Sequence, residues 1–565
     1  MRSGVRSIAG LGFRTAAVGV VWSSVLGVAL GSGPPRVSAG VEMASGPTDS
    51  DPAMVRNGGR PSGAPIAEGQ GSVDADPVAE AQGERAPAPA GVKGSPTEGA
   101  ADGETNRRQM AQFQLPAATP EGSAPPQSDE GFTTRRRLPE AQPTPFPGIL
   151  RFQYGIDSES DITYRRDPDL DERARDNSLL LAPQVGGYFL YRPTDWLETA
   201  MEIILEREIA AQEEEIVTLP NGETQVAPAR SFSLLIDQAY LSVGRASQPV
   251  RFTVGRRNFE DDRHWLYDTS LDVALVRFKY GYFQAEASVG REELVDLDLL
   301  QRVPNGRIDN YMWYMTYRGV EDIRLASYAI FRNDRAGPEG QPLHLGVSAL
   351  GTPSDSWRYW VELAYVTGKD GSNRTLSGYG LDVGGVYRFT DLPLYPSITL
   401  GWAFGTGDGD PDDRVNHEFR QTGLQSNETR FAGVAKFKVY GEALDPELSN
   451  LKIFTVGLGF RPARNMFVEL IYHRYWLDKI ADELRNSALT AQMNQVETRL
   501  SKDVGSGVDI VLGFRNVFGL RRLGLDVRAG WFFPGEAFLR SEGDEENPNL
   551  RHADTGFVMV AKFWW

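Results

Sequence analysis

The run VELIYHRYW, residues 468–476, sets His473 and Glu469 on one parity of an alternating stretch. An imidazole beside a carboxylate could move a proton as general acid and base. The same two residues read as easily as polar groups on the wet face of a strand. Nothing completes the pair into an active site: the chain has no nucleophile elbow, no HExxH and no phosphate-binding glycine loop. It has five His and no Cys, which removes thiol chemistry, disulfides and Cys-based metal sites. GTGDGDPDDR, 405–414, is acidic enough to suggest calcium. It lacks the ligand spacing and terminal Glu of a calcium loop, so a solvated loop is expected. No enzyme, cofactor or metal is predicted.

Charge on alternate positions carries more information. LRFQYGID, GYGLDVGGVYRF, SWRYWVELAYV, PSITLGWAFG, SGVDIVLGFR and LGLDVRAGWFF each put aromatic and aliphatic bulk on one parity. The other parity takes Gly, amides and charges. A period of two is the signature of a strand with two unlike faces. The polar parity collects Arg151, Arg257, Arg358, Arg388, Arg461, Arg515, Arg528 and Lys562. It also collects Asp157, Glu198, Glu202, Glu286, Glu362, Asp382, Glu469, Asp509 and Asp526. These charges either pair across strands to keep a wall hydrated, or leave guanidiniums free to hold an anionic solute. Arginine suits the second role because it stays charged and offers carboxylates a planar fork.

The elements that position these residues are numerous and short. Alternating runs begin near 149, 178, 196, 231, 250, 270, 282, 309, 321, 341, 356, 378, 395, 451, 465, 505, 523 and 555. Short links such as YRPTDW, YGYF and RPARN follow the even-numbered runs. Long polar ones follow the odd, including 159–177, 206–230, 291–308, 406–450, 476–503 and 534–554. An even strand number with short turns at one rim and long loops at the other predicts an all-β fold, a transmembrane antiparallel β-barrel of about 18 strands. The terminal TGFVMVAKFWW fits: Phe557, Met559, Ala561, Phe563 and Trp565 would face lipid. This last strand would close on the first, near Ile149 to Asp157, because hydrocarbon tolerates no open sheet edge.

The front of the chain has a different texture. Arg2, Arg6 and Arg14 precede an apolar run, Thr15 to Leu30, and Val37-Ser38-Ala39 offers small residues for cleavage. Residues 1–39 therefore read as a secretory signal peptide. Residues 40–146, rich in Pro, Ala, Gly and Glu, read as a disordered periplasmic segment that cannot bury enough apolar surface to fold. The barrel occupies 147–565. A net charge of -17 argues against nucleic acid as partner. The bacterial outer membrane and its lipid are the expected surroundings, with the chain a monomer.

Two stretches go beyond a generic barrel. One is DQAYLSVGRASQPVRFTVGRRNFEDDRHWLYDTSLDVAL, 237–275. The other contains FRQTGLQSN (419–427), YGEALDPELSNL (440–451) and the YHRYW segment. In order, spacing and residue type these resemble the alginate-export porins of the outer membrane. The resemblance implies passive export of an anionic, uronic-acid polysaccharide through an arginine-rich lumen partly occluded by loops. A periplasmic polysaccharide-secretion scaffold becomes a candidate partner. Carried over by residue, it adds Arg256 and Asp268, with Asn258 standing where another Arg is expected. It also adds Arg420, Gln421 and Asn427, then Glu442, Glu447 and Asn450, the latter set as a loop folding over or into the pore. Parity favours Arg257 over Arg256 as lumenal, and both are retained. Acids roughly match bases on the polar parity, so a small anionic solute taken by a general diffusion porin stays open as the alternative. An outer-membrane hydrolase or adhesin using 406–450 is the third reading.

Overall fold

A computed structural model describes residues 152–565 except 172–176, 211–213, 219–223, 229–231, 246, 293, 296–297, 301–307, 335–336, 338 and 543–548. The proposed signal peptide, the 40–146 segment and Arg151 lie outside the described residues. Eighteen long antiparallel strands form one sheet. They are β1 (Phe152–Arg166), β2 (Ser178–Thr194), β3 (Leu197–Arg207), β4 (Phe232–Val243), β5 (Val250–Glu260) and β6 (Asp268–Tyr280). Next come β7 (Phe283–Arg291), β8 (Asp309–Val320), β9 (Ile323–Asn333), β10 (Gln341–Ser354), β11 (Trp357–Lys369) and β12 (Thr375–Arg388). The series ends with β13 (Ser397–Gly405), β14 (Leu451–Ala463), β15 (Met466–Leu477), β16 (Asp503–Arg515), β17 (Gly524–Pro534) and β18 (Gly556–Trp564). Each pairs with its sequence neighbours, and β18 pairs with both β17 and β1, so the sheet closes.

The closing register differs from the expected one. Glu159 to Arg166 pair with Trp564 to Phe557, whereas Phe152 to Asp157 pair only with β2. The polar run SESD that looked like the start of a loop is the middle of β1. Its Glu159 and Asp161 face inward, where Lys562 of β18 lies 3.7 Å from Asp161 and closer still to Glu159. Charges in mid-strand are tolerable because the seam puts an ammonium opposite them.

The outward parity is apolar and exposed, as at Phe189, Val254, Leu400, Leu458 and Met559. Phe563 and Trp565 end the last strand on that face. The inward parity buries Glu198, Glu202, Glu286, Glu362, Asp382, Glu469, Asp509 and Asp526. Inverted relative to a soluble protein, this pattern suits lipid outside and polar groups within. The short turns follow even-numbered strands and are as brief as Gly281-Tyr282, where Gly281 takes φ 56°, a conformation that costs glycine nothing. Not every link at the other rim is long, for 370–374 spans only five residues.

Candidate functional site

The 406–450 loop between β13 and β14 folds into the barrel rather than out into solvent. Its inner part is a hairpin in which Glu428 pairs with Lys438 and Thr429 with Phe437. The hairpin tip reaches the short-turn rim. Arg388, the last residue of β12, donates to Ala432 O (3.1 Å), and Arg515, the last of β16, donates to Val434 O (2.7 Å). From the wall, Glu469 accepts the amides of Ala432 and Gly433 at 2.9 and 3.0 Å. Phe431 stacks on Trp360 with centroids 5.6 Å apart. A hairpin held by aromatic stacking, backbone amides and side-chain donors on several strands is a plug, positioned in register with the wall.

A seat for this plug is built from the β5–β6 link, 261–267. Asp261 ends β5 by accepting the amides of Arg263, Trp265, Leu266 and Tyr267 at 2.8–3.3 Å, which folds the link inward. Thr422 Oγ1 donates to Leu266 O, Gln421 Nε2 to Trp265 O (3.0 Å), and Asp268 N to Leu424 O (2.8 Å). Trp265 Nε1 donates to Tyr440 OH (2.8 Å), and that hydroxyl donates to Asp382 (3.0 Å). Arg263 meets the same carboxylate at 2.6 Å.

Most lumenal charges are matched. Arg251 pairs with Glu198 (3.1 Å), Arg277 with Glu286 (3.5 Å), Arg515 with Asp526 (2.7 Å), and Arg528 with Glu428 of the plug (2.5 Å). Three arginines break the pattern. Arg358 and Arg388 on the wall and Arg430 on the plug have no carboxylate ion pair among the described residues, and Arg358 has Arg263, Arg388 and Arg430 as electrostatic neighbours, with Glu469 as counter-charge to Arg358 and Arg388. Arg430 is exposed within the lumen beside the hairpin. The desolvating surroundings and the nearby Arg515 hold its guanidinium below the usual range, against the pull of Asp526 and Glu260. On the plug, burial pushes Glu442 up to about 7, against the pull of Arg528 and with the push of Asp509.

Comparison with known proteins bears directly on this arrangement. The family model described as alginate export matches residues 144–551. The chain belongs to the alginate-export family. Its barrel is therefore an outer-membrane porin, with the short turns in the periplasm. The alginate production protein AlgE of Pseudomonas aeruginosa is 26% identical over 333 residues, half of this chain and 66% of that protein. AlgE of Azotobacter vinelandii is 27% identical over 175 residues, 28% of this chain and 36% of the relative. Among solved structures, the outer-membrane protein OccK7 (OpdD) of P. aeruginosa aligns over 74% of this chain and 98% of its own, with 13% identity and a TM-score of 0.46.

In this member of the alginate-export family the motif residues take structural positions in and around the plug. Gln421 and Asn427 exchange reciprocal side-chain amide bonds of 2.9 Å, and Gln421 also receives Leu448 N (2.9 Å). Glu447 accepts Gln421 N (2.7 Å) and Asn486 (2.6 Å), and burial raises its carboxyl. Glu442 accepts Lys438 N (2.8 Å), while Asn450 ties the plug's root to Lys479. Arg420, expected at the lumen surface, is buried at the plug base with Glu339 at 3.5 Å. Asp268 and Asp382 anchor the plug through Ser426 and Tyr440. Arg461 sits at the periplasmic rim, its guanidinium 5.0 Å from the centre of Phe467. Arg257 faces inward over the Tyr240 ring, 4.1 Å from its centre.

Arg256 is a correction. No bulge interrupts β5 between Phe252 and Arg256, so Arg256 stands on the outward parity. There it lies buried beneath the link after β7, paired with Asp272 through two bonds of 2.9 and 2.8 Å and donating to Val295 O. It holds that link against the wall and does not reach the lumen. Arg256→Ala would strand a buried carboxylate, a loss of roughly 3–5 kcal/mol for a broken buried pair. Urea unfolding should show it.

The acidic 405–414 stretch is also more organised than a solvated loop. The Arg374 guanidinium occupies its centre, donating to Asp408 (2.6 Å), Asp413 (3.1 Å) and the carbonyls of Asp410 and Val415. A side-chain cation stands where the sequence suggested calcium. His473, the possible proton carrier, is fully buried between Thr455 (2.9 Å) and Asp509 (3.1 Å). Sequence reasoning did not single out Arg263, His264, Arg430 or Lys436. All four sit on connections, where strand parity gives no facing.

Proposed function

We propose that the protein passively exports an anionic, uronic-acid polysaccharide across the outer membrane, with the lumenal hairpin as the element that narrows the path. Membership of the alginate-export family supports the substrate class. The observation that carries the lumenal part is the group Arg358, Arg388 and Arg430, three cations beside the plug that make no direct ion pair with a carboxylate among the described residues and share the more distant Glu469, Asp526 and Glu260 as counter-charges. Guanidiniums in that state offer a repeated carboxylate polymer weak, successive contacts, and weak contacts let it leave as readily as it enters. The alternative, diffusion of small anions, is favoured by one feature: the remaining inward charges are largely paired off, which leaves little basic surface for a long chain.

Planar-bilayer recording on the purified protein separates these readings. For polymer export, the current prefers anions and uronate oligomers block it with a potency that grows with chain length. Block by monomeric acids alone would favour the small-solute porin, and cation preference without block would remove both.

A further inference from the structure

The closure of the barrel leaves half of one strand without a neighbour. β18 pairs with β1 only as far as Glu159, and Trp565 exchanges backbone bonds of 3.1 and 2.9 Å with Ser158. Beyond that point Phe152 to Asp157 pair with β2 alone, in an uninterrupted register. Ser158 turns its N–H and C=O toward β18, so alternation turns those of Ile156, Tyr154 and Phe152 the same way. Three amides and three carbonyls at the periplasmic end of β1 therefore face a side that no described strand occupies. Ile156 is 67% exposed there on the lipid-facing parity. Asp157, on the inward parity, has a buried Oδ1 with no hydrogen-bond partner among the described residues. A membrane tolerates no such edge, and proteins cover or blunt the ones they have.

The chain reaches Phe152 from this same rim through LPEAQPTPFPGIL, 138–150, which lies outside the described residues. Proline stands at 139, 143, 145 and 147, always on the odd parity. It has no N–H to give, and on an edge strand that side must face away from the sheet. The even positions Leu138, Glu140, Gln142 and Thr144 keep their N–H. Leu138, Gln142 and Thr144 each precede a proline, which holds them extended before any pairing. Farther up the chain the prolines keep no parity, as at Pro125-Pro126. Pro147-Gly148 supplies a turn just ahead of β1.

We propose that 138–144 folds back as a short additional strand on the open edge of β1. A return over 145–149 sets Gln142 opposite Phe152, Glu140 opposite Tyr154 and Leu138 opposite Ile156. Each open N–H and C=O of β1 then meets a residue that both donates and accepts. The prolines face away and end the sheet, and Leu138 covers Ile156 across the pair. Arg137, just ahead of the strand, comes to the Asp157 carboxylate. These residues depart from the disorder expected for 40–146 because the edge supplies hydrogen bonds and apolar cover that the segment lacks by itself. The rest of that segment then starts from the barrel seam, beside the pore mouth.

Hydrogen exchange on the full-length protein in detergent reads the edge. The amides of Phe152, Tyr154 and Ile156 should exchange slowly. Gln142→Pro, which moves a proline onto the pairing parity, should speed them by about tenfold or more, and Ala141→Pro, on the other parity, should leave them slow. Because the chain has no Cys, introduced pairs test the register. Ala141→Cys with Gln153→Cys sets two inward side chains opposite each other, about 4.5 Å apart at Cα, and should oxidise readily. Gln142→Cys with Gln153→Cys points them to opposite faces and should not. Fast exchange of the three amides in the wild type means an open edge. Slow exchange that Gln142→Pro leaves unaltered means another strand covers it, a second copy where the protection falls on dilution. Either result overturns the proposal, as do equal oxidation rates for the two cysteine pairs. No readout here involves conductance, so a barrel that conducts nothing in lipid defeats the channel reading alone.

Discussion

Excising residues 429–437 and joining Glu428 to Lys438 through Asn-Gly is expected to raise single-channel conductance several-fold. The junction is feasible because Glu428 and Lys438 are already paired across the hairpin, and Asn-Gly suits a two-residue turn. What leaves is the tip that reaches Arg388, Arg515 and Glu469 at the periplasmic end. Barrels of 16–18 strands otherwise enclose an aqueous channel, so the hairpin is the obstruction that remains to be removed. The wall does not depend on it: all eighteen strand pairings run between wall strands. An unaltered conductance in bilayers, with the barrel still resisting unfolding at low temperature, would mean that another element sets the resistance.

The strands were legible because a wall between lipid and water imposes a period of two that composition alone reveals. Val383 is exposed outward and Asp382 buried inward for that reason. The register of closure was less legible. Glu159 and Asp161 look like loop residues until Lys562 is seen to meet them, and no local pattern announces a partner four hundred positions away. Connections carry no parity at all, so the facing of Arg430 or Lys436 could not be derived. What did survive there was motif order. The DDRHWLYD and FRQTGLQSN segments, which carried the resemblance, meet where Tyr267 bridges Leu424. Their residue types serve the docking of one loop against another, through Asp261, Gln421 and Asn427, before they serve any solute. Arg256 shows the opposite limit: motif position suggested the lumen, and two residues of uninterrupted alternation beyond Val254 place it outside.

Reversing the charge of Arg358, Arg388 and Arg430 together to Glu is expected to turn a preference for anions into one for cations. Elsewhere in the lumen a guanidinium has a carboxylate within reach, as Arg515 has Asp526 and Arg528 has Glu428, so substitution there changes a pair and exposes its partner. The three named arginines make no direct ion pair among the described residues, their carboxylate neighbours Glu469, Asp526 and Glu260 acting only at longer range, and each reversal moves the local charge by two in a confined space. A pair of charges about 4 Å apart interacts by roughly 4 kcal/mol at an effective dielectric near 20, and each 1.4 kcal/mol is about tenfold in occupancy. Even a small residue of that energy after screening inverts a permeability ratio. Reversal potentials in a salt gradient measure it, and uronate block should vanish with it. Arg528→Glu is the comparison: it sets a third acid beside Glu428 and Glu442, and should loosen the plug and raise conductance before it changes selectivity. If the triple reversal left anion preference intact while Arg528→Glu abolished it, the selecting charge would belong to the plug's anchor rather than to the space beside it.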